Sequence, residues 1–212
     1  MTDGSAPRRR DSVRNRERLL GAAREVFAER GFGATLDDIA RHAGLGTGTA
    51  YRHFPNKQVL AAEVLAGATE QIAVDARYAL TLDDPWRALV TFFERNAERQ
   101  ARDRGLCEAL TGQGDDDAQA RIWPQVIDAV TELFGRATRA GVVRADAAPQ
   151  DIAAVFALLG PAFAMSRATG TELWRRYLAL LLDGLRATDR PPLPVPAPPL
   201  AALPLILRSG KA

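Results

Sequence analysis

The sequence predicts an all-α protein with an N-terminal three-helix domain, which contains a helix-turn-helix, and a C-terminal helical domain. Apolar residues recur at helical spacing along most of the chain, and strands do not alternate with helices. Capping residues and glycines divide the N-terminal part into short helices. Hydrophobic residues make up 47% of the chain and charged residues 25%, which is typical of a folded, water-soluble protein. We place an N-terminal arm at residues 1–11, the helix-turn-helix domain at 12–57, the C-terminal helical domain at 58–188 and a proline-rich tail at 189–212.

Composition excludes several classes of site. The first residues, "MTDGSAPRRRD", lack an apolar stretch, and no run of about 18 uninterrupted apolar residues follows. We therefore expect a cytoplasmic protein with no membrane partner. The single cysteine, Cys107, excludes an internal disulfide and a thiolate cluster. The two histidines, His42 and His53, lack a third ligand at usable spacing, so we expect neither a metal nor another cofactor.

Basic residues are concentrated at the N-terminus. Residues 1–57 hold 11 Arg and Lys against 7 Asp and Glu. Six arginines fall within eleven positions: Arg8, Arg9, Arg10, Arg14, Arg16 and Arg18. We interpret residues 1–11 as a flexible basic arm. Such an arm either binds a polyanion or is simply a solvated tail.

Two amphipathic helices are predicted next. From residue 12 to residue 30, apolar positions recur at helical spacing, and Gly31 offers a left-handed stop. Thr35 and Asp38 form the pattern of a capping box at the start of "LDDIARHA". This second helix ends at Gly44.

The glycines of "GLGTGTAYRHFPNK" allow two interpretations. A glycine-rich loop can cradle phosphates, but a dinucleotide fingerprint requires a preceding strand and a Walker loop requires Gly-Lys-Ser/Thr. A helix precedes these glycines instead. The order of helix, tight turn at Gly44 and short helix over residues 46–53 is typical of a helix-turn-helix, with Leu45, Ala50 and Phe54 facing inward.

The exposed face of the short helix over residues 46–53 carries groups that can contact DNA. Its hydroxyls, phenol and cations can donate to phosphates or reach base edges. Tyr51 also has a structural interpretation as a core aromatic, although its neighbours Arg52 and His53 favour DNA contact. Lys57 and the first turn of the next helix, which Pro55 can open, are suited to hold a phosphate.

These residues carry a resemblance to a known family. "TLDDIARHAGLGTGTAYRHFPNK", preceded by "FAERGFGAT", resembles the DNA-binding domain of the tetracycline-repressor (TetR) family over residues 12–60. The family usually has a small hydroxyl residue and a Leu where this chain has Gly46 and Ala50, which affects only local stability. The DNA contacts that the resemblance and the helix face indicate are Thr35, Gly46, Thr47, Gly48, Thr49, Tyr51, Arg52, His53 and Lys57.

The C-terminal part predicts further helices. The first covers residues 59–78, the second is capped by Asp84 with Pro85 at its first position, and a short helical turn follows around Cys107. After a loop or weak helix, Pro124 opens another helix. Two apolar helices then follow, around Phe156 and Leu180. Gly160 and Pro161 should bend the first of the last two. Seven prolines between residues 191 and 204 exclude helix from the tail, which we predict to be disordered.

The last two helices are apolar on more than one side, which indicates that a second surface covers them. The resemblance implies that they pair with those of a second copy to form a homodimer, and a self-contained helix pair is the alternative. The resemblance also implies a pocket for an unidentified small-molecule effector, which we expect to be apolar or aromatic. Its candidate lining is Trp86, Phe93, Trp123 and Phe134, although aromatic residues on apolar helical stripes more often fill the core than line a site.

The resemblance therefore implies a sequence-specific transcriptional regulator, acting as a repressor that binds a pseudo-palindromic double-stranded operator as a homodimer and is released by the effector. An architectural DNA-binding or protein-interaction module without an effector is the alternative. An enzyme is not expected, because both histidines lie in the helix-turn-helix and the parts of a Ser/His/Asp or metal mechanism are missing.

Overall fold

The computed structural model describes the backbone of residues 5–110, 116–189 and 191–199, and their side chains except at 5–9, 69, 109–110 and 116–126. The described part is helical, and its single β-contact is an isolated bridge between Val143 and Arg186. The helices are α1 (Ser5–Arg30), α2 (Leu36–His42), α3 (Thr47–His53), α4 (Lys57–Leu80), α5 (Pro85–Arg102), α6 (Arg104–Leu110), α7 (Asp116–Arg139), α8 (Gln150–Thr169) and α9 (Leu173–Leu185).

The first three helices and the start of α4 enclose a small apolar core. Apolar side chains with helical spacing meet at its centre: Leu19, Val26, Phe27, Leu36, Ile39, Ala50, Phe54 and Leu60. Because helices of seven residues, such as α2 and α3, are marginal in isolation, this shared core is what stabilises them. The predicted three-helix domain with a helix-turn-helix is thus confirmed.

The helix α1 starts earlier than the sequence predicted. Residues 5–11, which we expected in a flexible arm, form its first turns. Pro7 does not prevent this, because residues in the first turn have no intrahelical acceptor for their N–H groups. Arginine also favours helix, so the basic segment extends α1.

Local rules describe the helix-turn-helix well. The Thr35 hydroxyl accepts from the Asp38 N–H at 3.1 Å, and the Asp38 carboxylate accepts from the Thr35 N–H at 3.0 Å, which completes the predicted capping box. After α2, Gly44 takes a φ of +64°, and the N–H of Leu45 donates to the Ala40 carbonyl at 2.9 Å. The left-handed glycine turns the chain directly into α3.

The C-terminal domain is built around α4, α5 and α7, against which α8 and α9 pack. Asp84 caps α5 by accepting from the N–H groups of Trp86 and Arg87, with Pro85 at the first helical position as predicted. The sequence left open a loop or a weak helix before Pro124. The structure has helix from Asp116, and α7 runs through Pro124, so this proline does not open the helix as predicted. A proline removes one backbone hydrogen bond, and the packed C-terminal half of α7, with Leu133 and Phe134, holds the helix.

A charged cluster lies inside this domain. Asp75 of α4 is fully buried and pairs with Arg95 at 3.0 Å and Arg99 at 2.6 Å, both from α5. Arg95 also lies over the Tyr78 ring at 4.7 Å. The cluster joins α4 to α5 by charge-assisted hydrogen bonds, because a buried carboxylate requires such partners.

Two hydrogen bonds connect the start of the helix-turn-helix to later helices. They meet at the 3-10 turn Gly31–Gly33, which connects α1 to α2. The Phe32 N–H donates to the Glu108 carboxylate of α6 at 2.7 Å, and the Phe32 carbonyl accepts from the Lys57 ammonium of α4 at 2.6 Å. This turn therefore contacts both α6 and α4.

The helix α8 is long and apolar enough, by length and composition, to cross a membrane. Half of its most apolar 18-residue stretch is buried in this fold, and the core helix of a globular protein has the same length and composition. α8 continues through Pro161 and ends at Thr169, followed by the C-cap Gly170, which has a φ of +65°. It packs on α9 and on α5.

The described start of the proline-rich tail, residues 191–199, is non-helical and lies against the body. The Leu193 N–H donates to Asp146 at 2.5 Å, and the Pro198 carbonyl accepts from Gln150 at 3.0 Å. Arg144 holds Asp146 through both carboxylate oxygens. The expectation of disorder therefore does not describe residues 191–199, because Asp146, in the loop before α8, and Gln150, the first residue of α8, hold this backbone. The rest of the tail lies outside the described residues.

Candidate nucleic-acid interface

The helix α3 is divided into a buried face and an exposed face. Ala50 and Phe54 are fully buried and attach α3 to the core of the three-helix domain. The Arg16 guanidinium lies 4.9 Å from the centre of the Phe54 ring and covers it from the outside. Because the anchors lie on one face of the short helix, its other face points away from the core.

The exposed face presents most of the residues that the sequence analysis selected. Thr47, Gly48 and Arg52 are exposed, and Tyr51 is 51% exposed. Thr49 and His53 are half-buried at the sides of this face, and Gly46 is the N-cap. Tyr51 is therefore not a core aromatic, and the surface combines two hydroxyls, a phenol and a guanidinium.

Thr35 already has partners within the protein. Its hydroxyl donates to the Asp38 carboxylate at 2.6 Å, in addition to accepting the N–H of the capping box. These bonds from Thr35 lower the pKa of Asp38. Thr35 is nevertheless exposed at the start of α2.

Lys57 is only half-buried, and its ammonium is committed to the Phe32 carbonyl. An ammonium has three donors, so this bond leaves capacity for a phosphate. The structural use of Lys57 was not predicted, because Phe32 is 25 residues away and only the fold brings them together. Helix α4 begins at Lys57 after the N-cap Asn56, so Pro55 lies before the helix rather than in its first turn.

The N-terminal arginines divide into two groups. Arg16 pairs with Glu63 of α4, and Arg18 donates to the Ala43 carbonyl at the end of α2 at 2.6 Å. These two side chains hold the three-helix domain together. Arg10 and Arg14 are exposed along α1. The side chains of Arg8 and Arg9 lie outside the described residues.

The aromatic residues predicted for a ligand pocket do not form one group. Phe93 and Phe134 are fully buried and pack in the core of the C-terminal domain. Trp86 lies with Trp174 on a partly open cavity of about 220 Å³ beside α9. The Trp123 side chain lies outside the described residues. The pocket assignment stays a prediction.

Among the described residues, no group of three or more His, Cys, Asp and Glu side chains could hold a metal ion. Burial raises the pKa of the Cys107 thiol to about 11. A thiol with this pKa is protonated at neutral pH and is therefore a poor nucleophile.

Two family matches cover most of the chain. Residues 19–64 match the domain described as bacterial regulatory proteins, tetR family, and residues 84–187 match the C-terminal domain described as transcriptional regulator SbtR-like. The first match contains the whole helix-turn-helix. The chain belongs to the TetR family. It is a helix-turn-helix transcriptional regulator that binds DNA.

Relatives of this TetR-family chain are themselves regulators. It is 33% identical over 109 residues to both SrpR and TtgW, HTH-type transcriptional regulators of Pseudomonas putida. That alignment covers 51% of this chain, 51% of SrpR and 81% of TtgW. A crystal structure of a TetR regulator from Mycobacterium vanbaalenii is 36% identical, with a TM-score of 0.55, and the match covers 84% of this chain and 98% of that one. The all-α TetR fold predicted from the sequence is thus confirmed.

Proposed function

We propose that this TetR-family protein is a repressor that binds a pseudo-palindromic operator as a homodimer and is released by a small molecule. The observation that carries the DNA part is the division of α3, in which Ala50 and Phe54 are buried while Thr47, Tyr51 and Arg52 are presented outward. A helix fixed in this way can enter a major groove without losing its packing. The cytoplasm is where such a regulator would meet its DNA.

Within this surface we assign different tasks to different residues. Thr47 and Thr49 lie on the first turn of α3, and the N-terminal residues of a recognition helix are those that reach base edges. Tyr51, Arg52, His53 and Lys57 supply phosphate contacts, with Thr35, Gly46 and Gly48 allowing or adding close backbone approach. These assignments predict separable effects on specificity and on overall affinity.

The test of that division is a set of single variants in a titration against operator and random duplex. Lys57→Ala should weaken binding to both duplexes and reduce the slope of log affinity against log salt by about 1. Thr47→Ala should instead change the preferred bases and leave the salt slope unaltered. Equal losses on every duplex from both variants would contradict the assignment.

A homodimer is supported by exposed apolar side chains on the last two helices. Leu158 of α8 is 65% exposed and Met165, two turns along the same helix, is 42% exposed. On α9, Leu180 is 57% exposed and Tyr177 is 38% exposed. An apolar surface of this kind on a soluble protein is typical of an interface, and a two-fold dimer would place two α3 helices on successive half-sites.

The dimer is tested by light scattering after size exclusion. Leu158→Glu should shift the protein to monomer and abolish tight operator binding, because a charge would be buried in the interface. Val74→Glu is the matched control, since Val74 on α4 is also exposed, at 39%. A dimeric Leu158→Glu variant would refute this interface.

Effector release is supported by the cavity that Trp86 and Trp174 line and by the fold shared with a protein that binds an aromatic compound. RolR, crystallised with resorcinol, is 22% identical with a TM-score of 0.57, a likeness that extends to the fold alone. A small apolar or aromatic effector is tested by screening for compounds that release the labelled operator. An architectural module is the alternative, and it would bind all duplexes alike with strong salt dependence.

A further inference from the structure

A separate cavity lies where the helix-turn-helix domain meets the C-terminal domain. We call it the junction cavity; its volume is about 300 Å³, near the lower end of the range of small-molecule sites. Phe27 of α1 and Phe32 of the 3-10 turn line it. Leu65 of α4 and Leu106 of α6 line it as well, so both domains contribute to its walls.

The walls of the cavity include close contacts between neighbouring elements. Gly105 lets α6 approach α1 so closely that a Cβ there would lie 2.8 Å from the Phe27 Cβ. The Phe27 and Phe32 ring centres are 5.0 Å apart. Gly67 of α4 also lines the cavity, and a Cβ at this position would meet no heavy atom within 4 Å. Gly67 is exposed, so the space beside it, at the mouth of the cavity, is open to solvent, to a ligand or to a larger side chain.

The polar group inside the junction cavity is a carboxylate. One oxygen of Asp103 caps α6 by accepting from the Leu106 N–H at 2.8 Å. Among the described residues Asp103 forms no ion pair. Partial burial raises the pKa of Asp103 because it removes part of the solvation of the charged form, while the N–H groups of Leu106 and Gly105 offset some of this rise. A cation placed there would supply the missing partner.

The other charge at the junction cavity is Arg24, which lines its edge and is exposed to solvent. Water screens an exposed guanidinium, so Arg24 repels a bound cation much less than a partly buried Asp103 attracts it. The aromatic faces of Phe27 and Phe32 add to the attraction for a cation. Apolar walls with one partly buried carboxylate therefore complement an amine that carries an apolar body.

We propose that the junction cavity is a binding site for small primary amines with an aromatic or aliphatic body. The ammonium contacts Asp103, and the apolar body contacts Phe27, Leu65 and Leu106. Since the walls come from both domains, an occupied cavity resists their relative movement and changes operator affinity. This second consequence rests on the proposed function, whereas amine binding does not.

Calorimetry on the full chain, with three probes of similar shape, tests the charge preference. 2-Phenylethylamine should bind, 2-phenylethanol should bind at least about tenfold more weakly because a charge-assisted hydrogen bond is lost, and 3-phenylpropanoate should not bind. No binding of the amine, or tighter binding of the carboxylate, would overturn the proposal.

Two variants locate the bound amine. Asp103→Asn keeps an N-capping oxygen but removes the charge, and should weaken amine binding at least about tenfold. Asp84→Asn is the matched control, because Asp84 caps α5 in the same way outside the cavity, and should leave binding unaltered. Gly67→Phe should fill the open space and abolish binding, with helix content and melting monitored by circular dichroism. Amine binding that survives both Asp103→Asn and Gly67→Phe would exclude this site.

The consequence for DNA is measured separately by titrating the operator with and without saturating 2-phenylethylamine. A shift of operator affinity that Asp103→Asn removes supports the coupling. Amine binding with unaltered operator affinity would refute the coupling and leave the binding site established. Failure of the protein to prefer any operator would refute the proposed function without changing the calorimetric result.

Discussion

Gly31→Ala tests the hydrogen bond that connects the turn between α1 and α2 to Glu108 of α6. Gly31 has a φ of +66°, and a Cβ there would lie 2.5 Å from the carboxylate carbon of Glu108. The left-handed backbone alone should cost about 1–2 kcal/mol with alanine. Glu108 must also move, which breaks its bond to the Phe32 N–H, a charged hydrogen bond that contributes about 1.5–3 kcal/mol. The expected total is about 2.5–5 kcal/mol of unfolding free energy.

The matched control is Gly141→Ala, because Gly141 has a φ of +67° and a Cβ there would meet nothing within 4 Å. It should lose only the backbone part, about 1–2 kcal/mol. Urea unfolding followed by circular dichroism measures both variants. In a Glu108→Ala background the cost of Gly31→Ala should fall to that of the control, since the clash is gone. Equal losses at Gly31 and Gly141 in the wild-type background would refute the reasoning.

Three further predictions concern the C-terminal part of the chain. Asp75→Ala should destabilise the protein by about 2 kcal/mol in urea unfolding, less than the 3–5 kcal/mol of a fully buried pair, because both partner guanidinium groups reach solvent. Cys107 should resist iodoacetamide at pH 8 in the native protein and react in urea, since burial raises its thiol pKa to about 11; rapid native labelling would contradict this. Arg144 lowers the pKa of Asp146 to about 2, so the stability that Asp146 contributes is present above its unfolded pKa of about 4 and is lost as pH falls from about 4 to 2. Asp146→Asn should remove that acid-dependent part of the unfolding curve, and an identical pH profile would contradict it.

The parts of the fold predicted from the sequence are those that depend on near neighbours. Thr35 and Asp38 are three residues apart, and Asp84 precedes the helix that it caps. The glycine at position 44 determines the turn before α3 through its own backbone. In each case the stabilising interaction involves residues within one helical turn, so the local sequence is sufficient to predict it.

The features missed by the sequence analysis depend on distant partners. Glu108 contacts Phe32 across 76 residues, and Asp75 meets Arg99 across 24. The local sequence around a carboxylate does not predict which distant cation or N–H group it will contact. Residues 5–11 were mispredicted as a flexible arm for a different reason, because charge was taken as a sign of disorder although arginine also favours helix. The surface of α3 was predictable because a family motif and helical spacing agree there.

The most direct test of the account is selection of bound duplexes from a random pool by the purified protein, followed by titration of the selected duplex at two salt concentrations. A dimer that reads DNA through α3 should select an inverted repeat with half-sites about one helical turn apart and prefer it over random duplex by orders of magnitude at both salt concentrations. Recovery of no motif, together with binding that disappears at modest salt, would contradict a sequence-specific regulator that reads DNA through α3.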